Sequence, residues 1–216
     1  MNRSEERAPG AQDHAGEAGQ GARGEEARRP APAPEPGSGP GGGAVEASLR
    51  AWIRQVPGYP VPGVTFLDIT PLLADGAALG QAVEALAAAV AGIEFDRVLG
   101  IEARGFILGA PLAVRLGKGF IPARKPGKLP LEVARQEYQL EYGQAAIEVH
   151  QDAIRPGDRI LIVDDVLATG GTSAAAAALV EQLGGRVAGF AYLIEIVALG
   201  GRRRLGDRPV RVVLPS

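Results

Sequence analysis

Apolar residues follow two regimes along this chain. Residues 1–44 contain no Val, Leu, Ile, Phe, Trp or Tyr and end in "APAPEPGSGPGGGA". A segment with so little to bury cannot offset the entropy of ordering it, so disorder is expected there. From Val45 onward the pattern becomes periodic, which places one folded domain at 45–216. "VEASLRAWIRQV" (45–56) has helical spacing, and "PGYPVPGVTF" reads as a loop. Thr70 and Pro71 suit the start of a helix running through "LLADGAALGQAVEALAAAVAG" to residue 92. Strand "RVLGI", helix "GFILGAPLAVRLG" and strand "GFIPAR" follow. "VARQEYQLEYGQAAIEVHQDAI" alternates with period two about Gly143-Gln144, as a hairpin does. Strand "RILIV", helix "TSAAAAALVEQLG", strand "RVAGFAYLIEIV" and strand "VRVVL" complete the chain.

Strands alternating with helices predict an α/β fold, a mostly parallel twisted sheet with helices on both faces. The hairpin interrupts that alternation and is a candidate lid. The change at Val45, in a chain with a single Met, also suggests that translation starts near that codon. The intact mass of the native protein tests this.

Composition narrows the chemistry. The chain has 216 residues, 46% of them hydrophobic, and a formal net charge of −2, which suits a soluble domain and no nucleic-acid partner. With no cysteine, thiolate catalysis, disulfides and Cys-ligated zinc are excluded, and His14 and His150 are too few for a histidine-rich metal site. "ALAAAVAGI" and "FAYLI" fall short of the roughly 20 residues a membrane span needs. The N-terminus has no signal-peptide core, so a cytoplasmic protein without membrane contact is expected. "GQGARG" (Gly19, Gly21, Gly24) matches a dinucleotide fingerprint but has neither the strand nor the helix that gives it meaning.

One stretch carries more. "LIVDDVLATGGT" (161–172) runs from buried-type aliphatics into two acids and then a small, flexible loop. Ligands of parallel α/β sheets bind beyond the carboxyl ends of the strands, where Asp164 and Asp165 should lie after a strand over 160–163. Adjacent carboxylates there can accept hydrogen bonds from vicinal ribose hydroxyls. Ala168, Thr169, Gly170, Gly171 and Thr172 then open a helix, whose free N–H groups and positive dipole end suit a phosphate. The order spells ribose, then phosphate.

This stretch resembles the signature of the type I phosphoribosyltransferases, which use 5-phosphoribosyl 1-pyrophosphate. "PGVTFLDITPLL", "GIEARGFILGAPLA", "RKPGKLP" and "YQLEYGQAAIEVHQDAI" extend the likeness over residues 50–205, toward the adenine-using members. The resemblance implies their fold, transfer of phosphoribosyl to adenine for purine salvage, Mg²⁺ held mainly by substrate, and a homodimer. A 6-oxopurine base, or a phosphoribosyl-pyrophosphate-sensing regulator, is the alternative. Where hypoxanthine-guanine enzymes typically carry an Asp for the base proton, this chain has Ala168. The resemblance gives that role to Glu141 on the hairpin, with Tyr142 beside it as a substrate contact; alone, Glu141 would read as a solvated charge. Arg104, Arg124, Lys125 and Lys128 supply cations for pyrophosphate, although a basic loop by itself is a solvated face. Phe66 is either a stacking surface for the base or a core aromatic. Thr65 and Leu67 would read the base edge through their backbone, and Ile196 would cover the other face. The resemblance further implies an unusual peptide at Glu102-Ala103. Leu67 and Gln144 depart from relatives that carry Arg and Lys there.

Overall fold

The structure, a computed structural model, describes residues 42–59, 61–139 and 143–216. Its centre is a five-stranded, wholly parallel sheet of β3 (Arg97–Ile101), β4 (Gly119–Ala123), β7 (Arg159–Leu167), β8 (Arg186–Glu195) and β9 (Val210–Pro215). Their order across the sheet is β4-β3-β7-β8-β9. Alternation along β7 assigns the two faces. Leu161 and Val163 pack with α2 (Thr70–Ala74), α3 (Gly76–Ala89) and α4 (Arg104–Arg115), whereas Ile160 and Ile162 pack with α5 (Gly171–Gln182). All four side chains are fully buried, each stabilising the fold by about 1.5–3 kcal/mol relative to exposure. The expected α/β architecture is present.

Three expected elements differ. The helix expected over 45–56 is instead α1 (Gly42–Arg50) followed by β1 (Arg54–Pro57). β1 pairs antiparallel with β2 (Thr65–Asp68), and Val56, preceding Pro57, is biased toward extended backbone. The helix expected over 70–92 breaks at Asp75, which is extended and accepts from the N–H groups of Ala77 and Ala78 at 3.0 and 2.9 Å. A local side-chain cap outcompetes continuation into Gly76. Thr70 is not a cap either: its N–H and hydroxyl donate to Asp68, and Ile69 holds the cap position. The strand expected to stop at residue 163 runs on to Leu167, because β8 continues to pair with it.

β5 (Val133–Gln139) and β6 (Gln144–His150) form the expected hairpin, with Gln139 opposite Gln144. Its base is core: Ala134, Ile147 and Val149 are buried with α5. Residues 140–142, including Glu141 and Tyr142, lie outside the described residues.

Candidate functional site

β3 and β7 end at different levels, and the site grows from that offset. Their pairing stops at Gly100 with Val163, after which the first chain passes through a cis Glu102-Ala103 peptide into α4. β7 continues, so Asp164 and Asp165 emerge with β8 as their only strand neighbour among the described residues. The Asp165 N–H donates to Asp164 Oδ1 at 2.9 Å, and Asp165 itself is buried. Arg104, in the first turn of α4, donates from Nε to Asp165 Oδ2. Burial, followed by the charge of Asp165, holds the Asp164 carboxyl well above the usual carboxylate range. Burial opposes the charge of Arg104, but the hydrogen bond and charge of Asp165, with Asp164 and Asp68, raise its pKa overall.

Beyond the acids the chain turns through Ala168 and Thr169 to Gly170, whose φ of 78° and ψ of 2° are left-handed and favour glycine. Gly170 caps α5 without any side-chain hydrogen bond to the first helical N–H groups. Those of Gly171, Thr172 and Ser173 are the donors a helix cannot satisfy itself, and with the helix dipole they attract an anion. α3, by contrast, spends its corresponding donors on Asp75.

A cleft of about 490 Å³ joins these parts. It is lined by Asp164, Asp165, Arg104, Ala168 and Thr169, by Thr65, Phe66 and Leu67 of β2, and by Ile196. β2 has β1 on one edge alone, leaving the other edge without a strand partner among the described residues. Phe66 is partly exposed rather than core; Tyr59 meets its ring edge-on at 5.4 Å and Arg104 lies over it at 5.5 Å. Most of the sequence-expected residues thus converge. Gly170, Gly171 and Thr172 follow directly at the end of α5.

The basic loop stands apart. Arg124, Lys125 and Lys128 do not line this cleft. Arg124 bonds Glu102 at 3.3 Å and the Lys128 carbonyl at 3.1 Å. Lys125 borders a separate depression with Arg135, Glu137 and Tyr138. Two carboxylates shape the loop: Glu102 accepts from the Lys125 N–H and Glu148 from the Gly127 N–H, each at 2.9 Å. The Lys125 N–H, then Arg124, lowers the Glu102 pKa despite partial desolvation. Sequence reasoning missed both acids. For Glu148 a signal existed, an acid flanked by buried Ile147 and Val149 where no charge belongs without a partner. Val64, Val166 and Leu199 also line the cleft, and nothing local in the sequence singles them out.

Paired carboxylates for a diol, set against free amides for a phosphate, fit ribose 5-phosphate; on this parallel sheet they define a phosphoribosyl-transferring enzyme. Residues 72–212 match the family model of the phosphoribosyl transferase domain. Adenine phosphoribosyltransferase of Synechococcus sp. strain JA-3-3Ab is 58% identical over 168 residues, covering 77% of this chain and 96% of that protein. The solved adenine phosphoribosyltransferase of Thermoanaerobacter pseudethanolicus superposes with a TM-score of 0.77 at 48% identity, over 79% of this chain and 99% of that one. The Saccharomyces cerevisiae enzyme, solved with an imino-altritol bisphosphate and adenine, gives 0.75 at 36% identity over 80% and 99%. The chain belongs to the phosphoribosyltransferase family, in its adenine phosphoribosyltransferase branch.

Proposed function

We infer that this protein transfers the 5-phosphoribosyl group of phosphoribosyl pyrophosphate to adenine, giving AMP and pyrophosphate in purine salvage. The observation that carries this is one cleft holding the Asp164–Asp165 pair, the Thr169 turn and the Phe66 wall within reach of one nucleotide. Asp164 and Asp165 hold the ribose hydroxyls and offset positive charge as the C1′–O bond loosens. Ala168 to Thr172 bind the 5-phosphate. Arg104 turns from Asp165 to the pyrophosphate, and Arg124, Lys125 and Lys128 add positive charge for that group. Adenine stacks on Phe66 against Ile196, read by the backbone at Thr65 and Leu67. Glu141 manages the base proton, with Tyr142 as a further contact.

Mg²⁺ suits this donor set only as an ion carried largely by substrate. The described residues contain no cluster of three metal-ligating side chains, and one or two carboxylates beside substrate oxygens are the usual Mg²⁺ arrangement. When bound, it neutralises charge on the departing pyrophosphate. The domain at 45–216 acts as a cytoplasmic homodimer without nucleic-acid or membrane partners. No described helix is long and apolar enough to cross a membrane. Incubation with phosphoribosyl pyrophosphate, Mg²⁺ and equimolar adenine, hypoxanthine and guanine tests the reading. AMP alone is expected; IMP or GMP would overturn the base assignment.

A further inference from the structure

Behind the phosphate turn lies a segment to which the mechanism above gives no task. After β8 the chain makes two short 3-10 turns, Val197–Leu199 and Gly201–Arg204, and returns to the core at the fully buried Leu205. At Gly201 this strap touches the turn backbone to backbone. A Cβ on Gly201 would stand 2.3 Å from the Ala168 carbonyl oxygen and 2.9 Å from Leu167 Cδ1, and one on Gly170 would stand 2.5 Å from the Gly201 carbonyl oxygen. The two stretches fit because both contacting residues are glycine.

The residue next to this contact is locked. Arg202 donates from Nε to both carboxylate oxygens of Glu195, at 2.8 and 3.0 Å, and from its terminal nitrogens to Glu195 at 2.8 Å and to the Val210 carbonyl at 3.2 Å. Glu195 is buried at the end of β8, paired across the sheet with Leu167, the last residue of β7 before the turn. A planar, multiply bonded ion pair of this kind fixes direction as well as distance.

We propose that Glu195 and Arg202 are positioning residues that press Gly201 against Ala168 and Gly170 and so set the shape of the 5-phosphate cradle. The inference rests on the reading of the cleft as a phosphoribosyl pyrophosphate site. It also predicts a selective effect. Ile196 and Val197 are tied independently, their N–H groups donating to the carbonyls of Leu167 and Ser216 at 2.9 Å each. The base-side wall therefore keeps its anchors when the ion pair is lost, whereas the phosphate turn loses its backing.

The test compares wild type with Gly201→Ala, Arg202→Met and Arg202→Lys, reading the KM for phosphoribosyl pyrophosphate and for adenine and, by calorimetry, the Kd for ribose 5-phosphate. Gly201→Ala and Arg202→Met should weaken both phosphate-bearing ligands about tenfold or more, the scale set by sub-ångström misplacement of binding groups. Adenine KM at saturating co-substrate should change less than about threefold, and Arg202→Lys should recover part of the loss. Parallel rises in both KM values, or a ribose 5-phosphate Kd within about twofold of wild type, would overturn the proposal. Arg202→Lys carries the same ratio should the harsher variants not fold. The calorimetric reading needs no turnover, so wild type binding ribose 5-phosphate without making AMP would refute the adenine assignment and leave the strap to be judged on binding.

Discussion

Replacing Arg104 by Met keeps an unbranched apolar stem and removes the guanidinium, with its charge, from beside two acids and an aromatic ring. Arg104 bonds Asp165 and lies 5.5 Å from the Phe66 centroid. A hydrogen bond between charged groups contributes about 1.5–3 kcal/mol, and a cation over a partly exposed ring about 0.5–1. The Arg104 side chain is 40% exposed, so solvent screening brings the sum to about 2 kcal/mol. For a domain of this size that is a fall in Tm of about 4–8 °C. The assay is thermal unfolding of wild type and Arg104→Met at neutral pH without ligand, repeated with saturating phosphoribosyl pyrophosphate. On the proposal that Arg104 also serves the pyrophosphate, the stabilisation added by ligand should fall as well. A Tm within about 1 °C of wild type at neutral pH would refute the view that Arg104 ties Asp165 to Phe66 across the cleft.

Asp164→Asn should stabilise the ligand-free protein while weakening phosphoribosyl pyrophosphate binding. The raised carboxyl keeps its proton longer in the folded state, so its contribution falls as pH climbs from the ordinary carboxylate range through the raised value. The variant's Tm advantage should therefore grow with pH, and an advantage that shrinks with pH would contradict the raised Asp164 carboxyl. Phe66→Ala should raise the adenine KM by the loss of about 1–3 kcal/mol of stacking, with phosphoribosyl pyrophosphate KM nearly unchanged; an unaltered adenine KM would remove Phe66 from the base site. Glu141→Gln should lower kcat by about a hundredfold with little effect on phosphoribosyl pyrophosphate binding. Near-normal turnover would mean that another group carries the proton.

What the sequence determined by itself was whatever a few consecutive residues encode. "RVLGI" gave a strand because a parallel strand covered on both faces needs an unbroken apolar run. "DDVLATGGT" announced two carboxylates, a left-handed glycine and a helix start together because these act over neighbouring positions. Where two local signals competed, the pattern misled: Asp75 looks like a polar interruption of one helix until its carboxylate is seen capping a second.

Only tertiary structure decided what the cleft's groups do to one another. Arg104 and Asp165 are 61 residues apart, so their pairing depends on β3 stopping short while β7 runs on. The segment "VPGVTF" became a wall because β1 pairs with β2, and "ARKPGKLP" stayed outside the cleft because Glu102 and Glu148 hold it elsewhere. Gly201 reads as an ordinary turn glycine until Ala168 is found against it. Periodicity reports which face of an element seeks cover, but not which element covers it. Hydrogen bonds and charge, falling off within a few ångströms, act only after the fold has made that choice.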